Sequence, residues 1–90
     1  MRITWDEPKR IRNLATHRLD FADAADRFDF ENAVILRGHP GQDGRARSVA
    51  IGFLDEDLVA VVFSRLGEEA VSLISLRPAS RKERRLHAAR

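Results

Sequence analysis

Phe21, Ala24, Ala25 and Phe28 recur at i, i+3, i+4 and i+7, the spacing that lays one apolar stripe along a helix. Asp20, immediately before them, is a side chain able to cap that helix. Upstream, Ile11, Leu14 and Ala15 also stand at helical spacing, with Arg10, Arg12 and Asn13 between them. Asp6 offers the N-cap there, Pro8 falls in the first turn where a missing N–H is harmless, and Trp5 sits where a staple residue would. The pattern predicts a helix over Glu7–His17, preceded by a short extended stretch, Ile3 to Trp5.

After Phe30 the period changes from helical to alternating. Ala33 to Arg37 is a short apolar run, and GHPGQDG (Gly38 to Gly44) concentrates residues that supply turn angles. Arg47, Val49, Ile51 and Phe53 then alternate with Ser48, Ala50 and Gly52, the period of a strand with unequal faces. Leu58 to Arg65 is nearly all apolar, which predicts a central strand covered on both faces. A last strand runs from Val71 through Arg77, where alternation puts Val71, Leu73, Ser75 and Arg77 on one face and Ser72, Ile74 and Leu76 on the other. Pro78 ends it by removing a ladder donor, and Ser80 with Glu83 has the spacing of a capping box at the start of a short helix. No crossover helix separates the strands, so they should pair antiparallel. The expected class is α+β, with the order β-α-α-β-β-β-β-α in one domain over residues 1–90. Two N-terminal helices and a short C-terminal one should pack on one side of a mostly antiparallel sheet.

Composition narrows the chemistry. Without cysteine there is no disulfide and no thiolate metal site, and His17, His39 and His87 lie too far apart in sequence to suggest ligand spacing. No metal or cofactor is expected. No run approaches the length of a membrane span, and acids stand near the N-terminus where a secretory signal would be apolar, so a cytoplasmic location is expected and no membrane partner. The net charge of +2 is unevenly placed. The last fourteen residues hold six cations against the single acid Glu83, or +5, which leaves −3 for the rest. That end should attract an anionic partner, with nucleic acid first among them.

Several stretches together resemble the BrnT family, toxins of bacterial type II toxin–antitoxin pairs. They are Trp5-Asp6-Glu7 with Lys9 and Asn13; His17, then Phe21 and Ala24-Ala25; Arg47 ahead of Ala50-Ile51-Gly52; Val61-Val62-Phe63; and Ile74-Ser75 with Arg77, Ala79, Arg81 and Glu83-Arg84. The chain departs from the family's pattern in having Thr16 and Arg18 beside His17, Ser72 in the last strand, and an arginine displaced by one to Arg65. The resemblance implies a RelE-like fold and a metal-independent endoribonuclease in which the ribose 2′-hydroxyl attacks the adjacent phosphate. It also implies a cognate BrnA-like antitoxin with a ribbon-helix-helix part, bound to the toxin as a hetero-oligomer and reaching operator DNA only through the antitoxin. The other reading is a toxin-fold binding module that has lost catalysis and serves in an antitoxin complex regulating transcription.

Such a reaction needs fixed cations for the charge that develops on phosphate oxygens, and arginine's planar fork suits it. The expected catalytic residues are Arg47, Arg65, Arg77 and His17, and the expected RNA-binding residues are Arg81, Lys82, Arg84 and Arg85. Arg77 closes its strand, where it either presents its guanidinium to phosphate or pairs with an acid. His17 can exchange protons near neutral pH or cap the last carbonyls of its helix. Trp5 is a base-stacking surface or core, and Glu83 a base or a cap.

Overall fold

The computed structural model describes residues 1–41 and 44–90. Its elements are β1 (Arg2–Trp5), α1 (Glu7–His17), α2 (Phe21–Arg27), β2 (Val34–Arg37), β3 (Ser48–Leu54), β4 (Asp57–Leu66), β5 (Ala70–Pro78) and α3 (Arg81–Ala88). The order is the expected one. The turn expected over Gly38 to Gly44 lies partly outside the described residues, at Gln42 and Asp43.

The five strands form one sheet in the order β1-β5-β4-β3-β2. Strands β2 to β5 pair antiparallel, and β1 alone is parallel, matching Arg2 with Ala70 and Trp5 with Leu73. Because β1 ends there, the second half of β5 has no strand on that edge. Helix α1 lies along this uncovered stretch.

The core has two parts on opposite faces of the sheet. On one, Phe21, Ala24 and Phe28 pack with Ala50, Val59, Val61, Phe63, Val71, Leu73 and Leu76. On the other, Ile51, Leu58 and Ala79 meet Val34, Leu36 and Val49. Phe53, in register with Leu58 on this second face, stacks edge-to-face on His87 of α3 at 5.4 Å. Helices therefore cover both faces, a correction to the one-sided packing expected from sequence. The cause is the apolar run of β4, since Leu58 to Val61 are all buried and a strand apolar on both faces needs cover on both.

A second correction concerns β5. Val61 pairs with Leu76 and Val62 with Ser75, but Phe63 pairs with Leu73, which leaves Ile74 as an extra residue. Such a bulge reverses the alternation beyond it. Leu76 joins Val71 and Leu73 in the first core, and Arg77 emerges on the opposite face, in register with Ala60.

Helix α1 carries a third. Its one buried residue is Asn13, while Ile11 and Leu14 are 59% and 39% exposed. Asn13 Nδ2 donates to the Leu76 carbonyl at 2.8 Å and to the Leu19 carbonyl at 3.1 Å, and Leu76 N–H donates to Asn13 Oδ1 at 3.0 Å. One amide thus satisfies both backbone groups that a missing strand would have paired, groups whose burial without partners would cost about 1 to 3 kcal/mol each. Arg10 adds a fork to Asp20, at 2.7 and 3.0 Å, which joins α1 to the N-terminus of α2.

Candidate functional site

Seated in this way, α1 turns Lys9, Arg12, Thr16 and His17 toward Ile74 and Arg47, and these with Asn13 line an open depression of about 450 Å³. Among the described residues, no carboxylate lines it. Lys9, Arg12 and Arg47 enter no ion pair among the described residues. A concave surface walled by uncompensated cations concentrates positive potential and binds anions.

Arg47 precedes β3, where its backbone carbonyl accepts from Gly38 N–H at 2.8 Å. Its Nε is buried and has no hydrogen-bond partner among the described residues. Gly41 packs directly on the guanidinium: a Cβ there would stand 2.6 Å from the guanidinium carbon and 2.8 Å from Nε. Only a residue without a side chain lets the chain pass this close. Arg47 also lines a second depression of similar volume with Leu36, His39, Val49 and the α3 residues Lys82, Glu83 and Leu86, so it joins the α1 side of the site to the α3 side.

His17 is the last residue of α1 and half-buried. The helix is closed by the amide of Arg18, in the left-handed region at φ 59°, donating to the Leu14 carbonyl at 2.9 Å. The imidazole is not the cap. It borders the cationic depression and a smaller one shared with Pro78 and Arg84.

Arg77 is not among these lining residues. The bulge delivers it to the face covered by α3, where its two terminal nitrogens donate to Glu83 Oε1 and Oε2 at 2.7 and 2.9 Å. Glu83 also accepts from Ser80 N–H at 2.8 Å, and Ser80 Oγ accepts from Glu83 N–H at 3.2 Å, completing the capping box. The Arg77 bonds, helped by the Ser80 amide and opposed by burial, lower the Glu83 carboxyl to about 2. Of the two alternatives open to Arg77 in the sequence, pairing with an acid is the observed one. Arg65 is exposed and pairs in register with Val71, on the first core's side of the sheet. It borders a separate depression with Arg45, Ser48 and Leu66, so the structure does not bring Arg65 and Arg47 together. Arg81, Lys82, Arg84 and Arg85 are all exposed on α3, Lys82 beside the Arg47 depression and Arg84 beside that of His17. Trp5 is half-buried against Phe21, with ring centroids 6.5 Å apart.

Lys9, Arg12, Thr16 and Gly41 were not expected as site residues. A signal existed: Lys9, Arg12, Asn13 and Thr16 recur at i, i+3, i+4 and i+7, a polar ridge as regular as the apolar one beside it. Nothing in the sequence marks Gly41 as lying on Arg47.

Residues 5–83 match the model of a family described as ribonuclease toxin, BrnT, of type II toxin–antitoxin system. The chain belongs to the BrnT family. The 1.1 Å crystal structure of the Brucella abortus ribonuclease toxin BrnT is similar to it, with 44% identity over 90% of this chain and 99% of that one and a TM-score of 0.72. No curated protein matches the chain. As a member of a toxin–antitoxin family it has an antitoxin as the implied partner. Among the described residues there is no group of three or more His, Cys, Asp or Glu able to hold a metal ion, and no helix long and apolar enough to cross a membrane.

Proposed function

We propose that this BrnT-family chain is a metal-independent endoribonuclease, acting in the cytoplasm and restrained by a cognate antitoxin with a ribbon-helix-helix part. The observation that carries this reading is the depression walled by Lys9, Arg12, His17 and Arg47, with no acid among its described lining residues. An RNA phosphate seated there places its non-bridging oxygens among cations whose positions are set by the sheet and by α1. As the 2′-hydroxyl attacks phosphorus, the P–O5′ bond breaks, leaving a 2′,3′-cyclic phosphate and a 5′-hydroxyl. The charge that builds on the phosphoryl oxygens falls to Arg47 and Lys9, with Arg12 at the rim. His17 accepts the 2′-hydroxyl proton, and the departing 5′-oxygen takes a proton from solvent. A fixed donor at a developing oxyanion contributes about 3 kcal/mol, so a few of them supply a nuclease without a metal. Lys82, Arg84, Arg81 and Arg85 extend the positive surface along α3, where RNA on either side of the scissile phosphate would lie. Arg77 supports that helix through Glu83. Purified protein should cleave RNA in excess chelator and stop when its antitoxin is added. Activity that vanishes on chelation and returns with a divalent cation would refute the metal-free reading.

A further inference from the structure

The apolar ridge of α1 has no work inside the fold. Ile11 is 59% and Leu14 39% exposed, Ala15 is exposed beside them, and the helix is seated through Asn13 and Arg10 instead. Apolar residues scattered singly on a surface need no explanation, but three along one helix ridge form a patch. Arg12 and Arg18 border it, and neither enters an ion pair among the described residues. A fitting occupant therefore offers apolar side chains at helical or extended spacing with carboxylates on its flanks. A second copy of this chain fits less well. It would bring the same unpaired cations, and Glu7, the acid nearest the ridge, is already held by Arg10 at 2.7 Å.

We propose that the outward ridge of α1, Ile11, Leu14 and Ala15 between Arg12 and Arg18, is the docking surface for an acidic amphipathic segment of the antitoxin. The proposal rests on the antitoxin pairing given above and adds the place where it acts. The position also explains inhibition. Arg12 borders the ridge and lines the cationic depression, so an acid that pairs with it neutralises part of the site while the segment overhangs the mouth.

The test uses the full-length cognate antitoxin titrated against the parent chain, Ile11→Glu/Leu14→Glu, the milder Ile11→Gln/Leu14→Gln, and Ile35→Glu. Ile35 is a comparably exposed apolar residue, at 50%, on edge strand β2. Both ridge variants should keep the parent melting temperature, and the glutamine pair should cleave RNA within about twofold of it. The glutamate pair should lose at least about a hundredfold in antitoxin affinity, as removal of a binding hot spot does, while Ile35→Glu binds as the parent does. Unchanged affinity in both ridge variants overturns the proposal. So does loss of binding in Ile35→Glu alone, which would place the partner on the sheet edge. Self-association of the chain that the ridge variants abolish, with antitoxin binding intact, would give the surface to a second copy. A parent chain that binds the antitoxin but cleaves no RNA would refute the nuclease reading and leave the docking comparison decisive.

Discussion

Helix α2 holds to the sheet through Phe21 and Ala24, almost wholly removed from solvent, whereas α1, a few residues earlier, holds through the amide of Asn13 and shows Ile11 to solvent. Both helices have an Asp N-cap, Asp6 accepting from Lys9 N–H and Asp20 from Ala22 N–H, and both carry a regular apolar spacing. What separates them is the surface below. Helix α2 lies on a sheet face, which offers side chains. Helix α1 lies on a strand edge, which offers backbone groups that only a polar side chain can satisfy. The periodicity of a helix tells that it has a preferred face, and its surroundings decide whether that face is turned in. In α1 the polar ridge that holds Asn13 continues through Lys9, Arg12 and Thr16 into the lining of the depression.

The largest effect should come from truncating the buried apolar stripe, and truncating the exposed one should do almost nothing. Phe28→Ala removes a ring packed in the first core and should cost about 3 to 5 kcal/mol in denaturant unfolding. Ile11→Ala should stay within about 0.5 kcal/mol of the parent. Equal losses in the two variants would erase the contrast between the helices. Next in size is Asn13→Ala, which strips partners from both Leu76 backbone groups and should cost about 2 to 3 kcal/mol. Because α1 loses its seat, the variant should also cleave RNA more slowly at temperatures where it remains folded. A neutral Asn13→Ala would mean that water replaces the amide there.

Sequence alone reached a good part of this arrangement. The bounds of α1, both aspartate caps, the Ser80–Glu83 capping box and the doubly covered β4 were all readable, because each depends on local spacing or on composition along one element. The orientation of α1 was not, since Ile11 and Leu14 carry the same signal whether they meet a core or a partner. Arg77 was misplaced for a related reason. A strand read by strict alternation has no means of showing the extra residue at Ile74, and one bulge exchanges the two faces beyond it. The place of Arg47 at a strand end was readable, while the loop glycine that covers it became visible only when the chain was folded back.

Gly41→Ala tests that covering contact and should have a smaller effect than the core changes. The added methyl must displace the Arg47 guanidinium, so RNA cleavage should fall about tenfold, equivalent to roughly 1.4 kcal/mol, with little change in melting temperature. Wild-type cleavage would show that the guanidinium has another productive position. The smallest expected effect is a pH dependence of α3. His87 is buried against Phe53, accepts from Arg90 Nε at 3.2 Å, and has its pKa lowered by burial and then by the Arg90 charge. An unfolded chain binds that proton more readily, so this contribution is complete above the unfolded value of about 6.5 and declines as pH falls through the folded one. The melting temperature should drop between pH 7 and 5, less so in His87→Phe. An identical slope in both would assign the effect elsewhere.

We propose that Arg47, beside α1, carries the phosphate contact, and that Arg77 ties α3 to the sheet through Glu83. Single-turnover RNA cleavage by Arg47→Lys and Arg77→Lys, each with its melting temperature, tests it most directly. Lysine keeps the charge at both positions and removes the two-point fork. Arg47→Lys should melt with the parent and cleave at least about tenfold more slowly. Arg77→Lys should melt lower and, at a temperature where it is folded, cleave at a rate near the parent's. Full cleavage by Arg47→Lys together with a folded but inactive Arg77→Lys would contradict it.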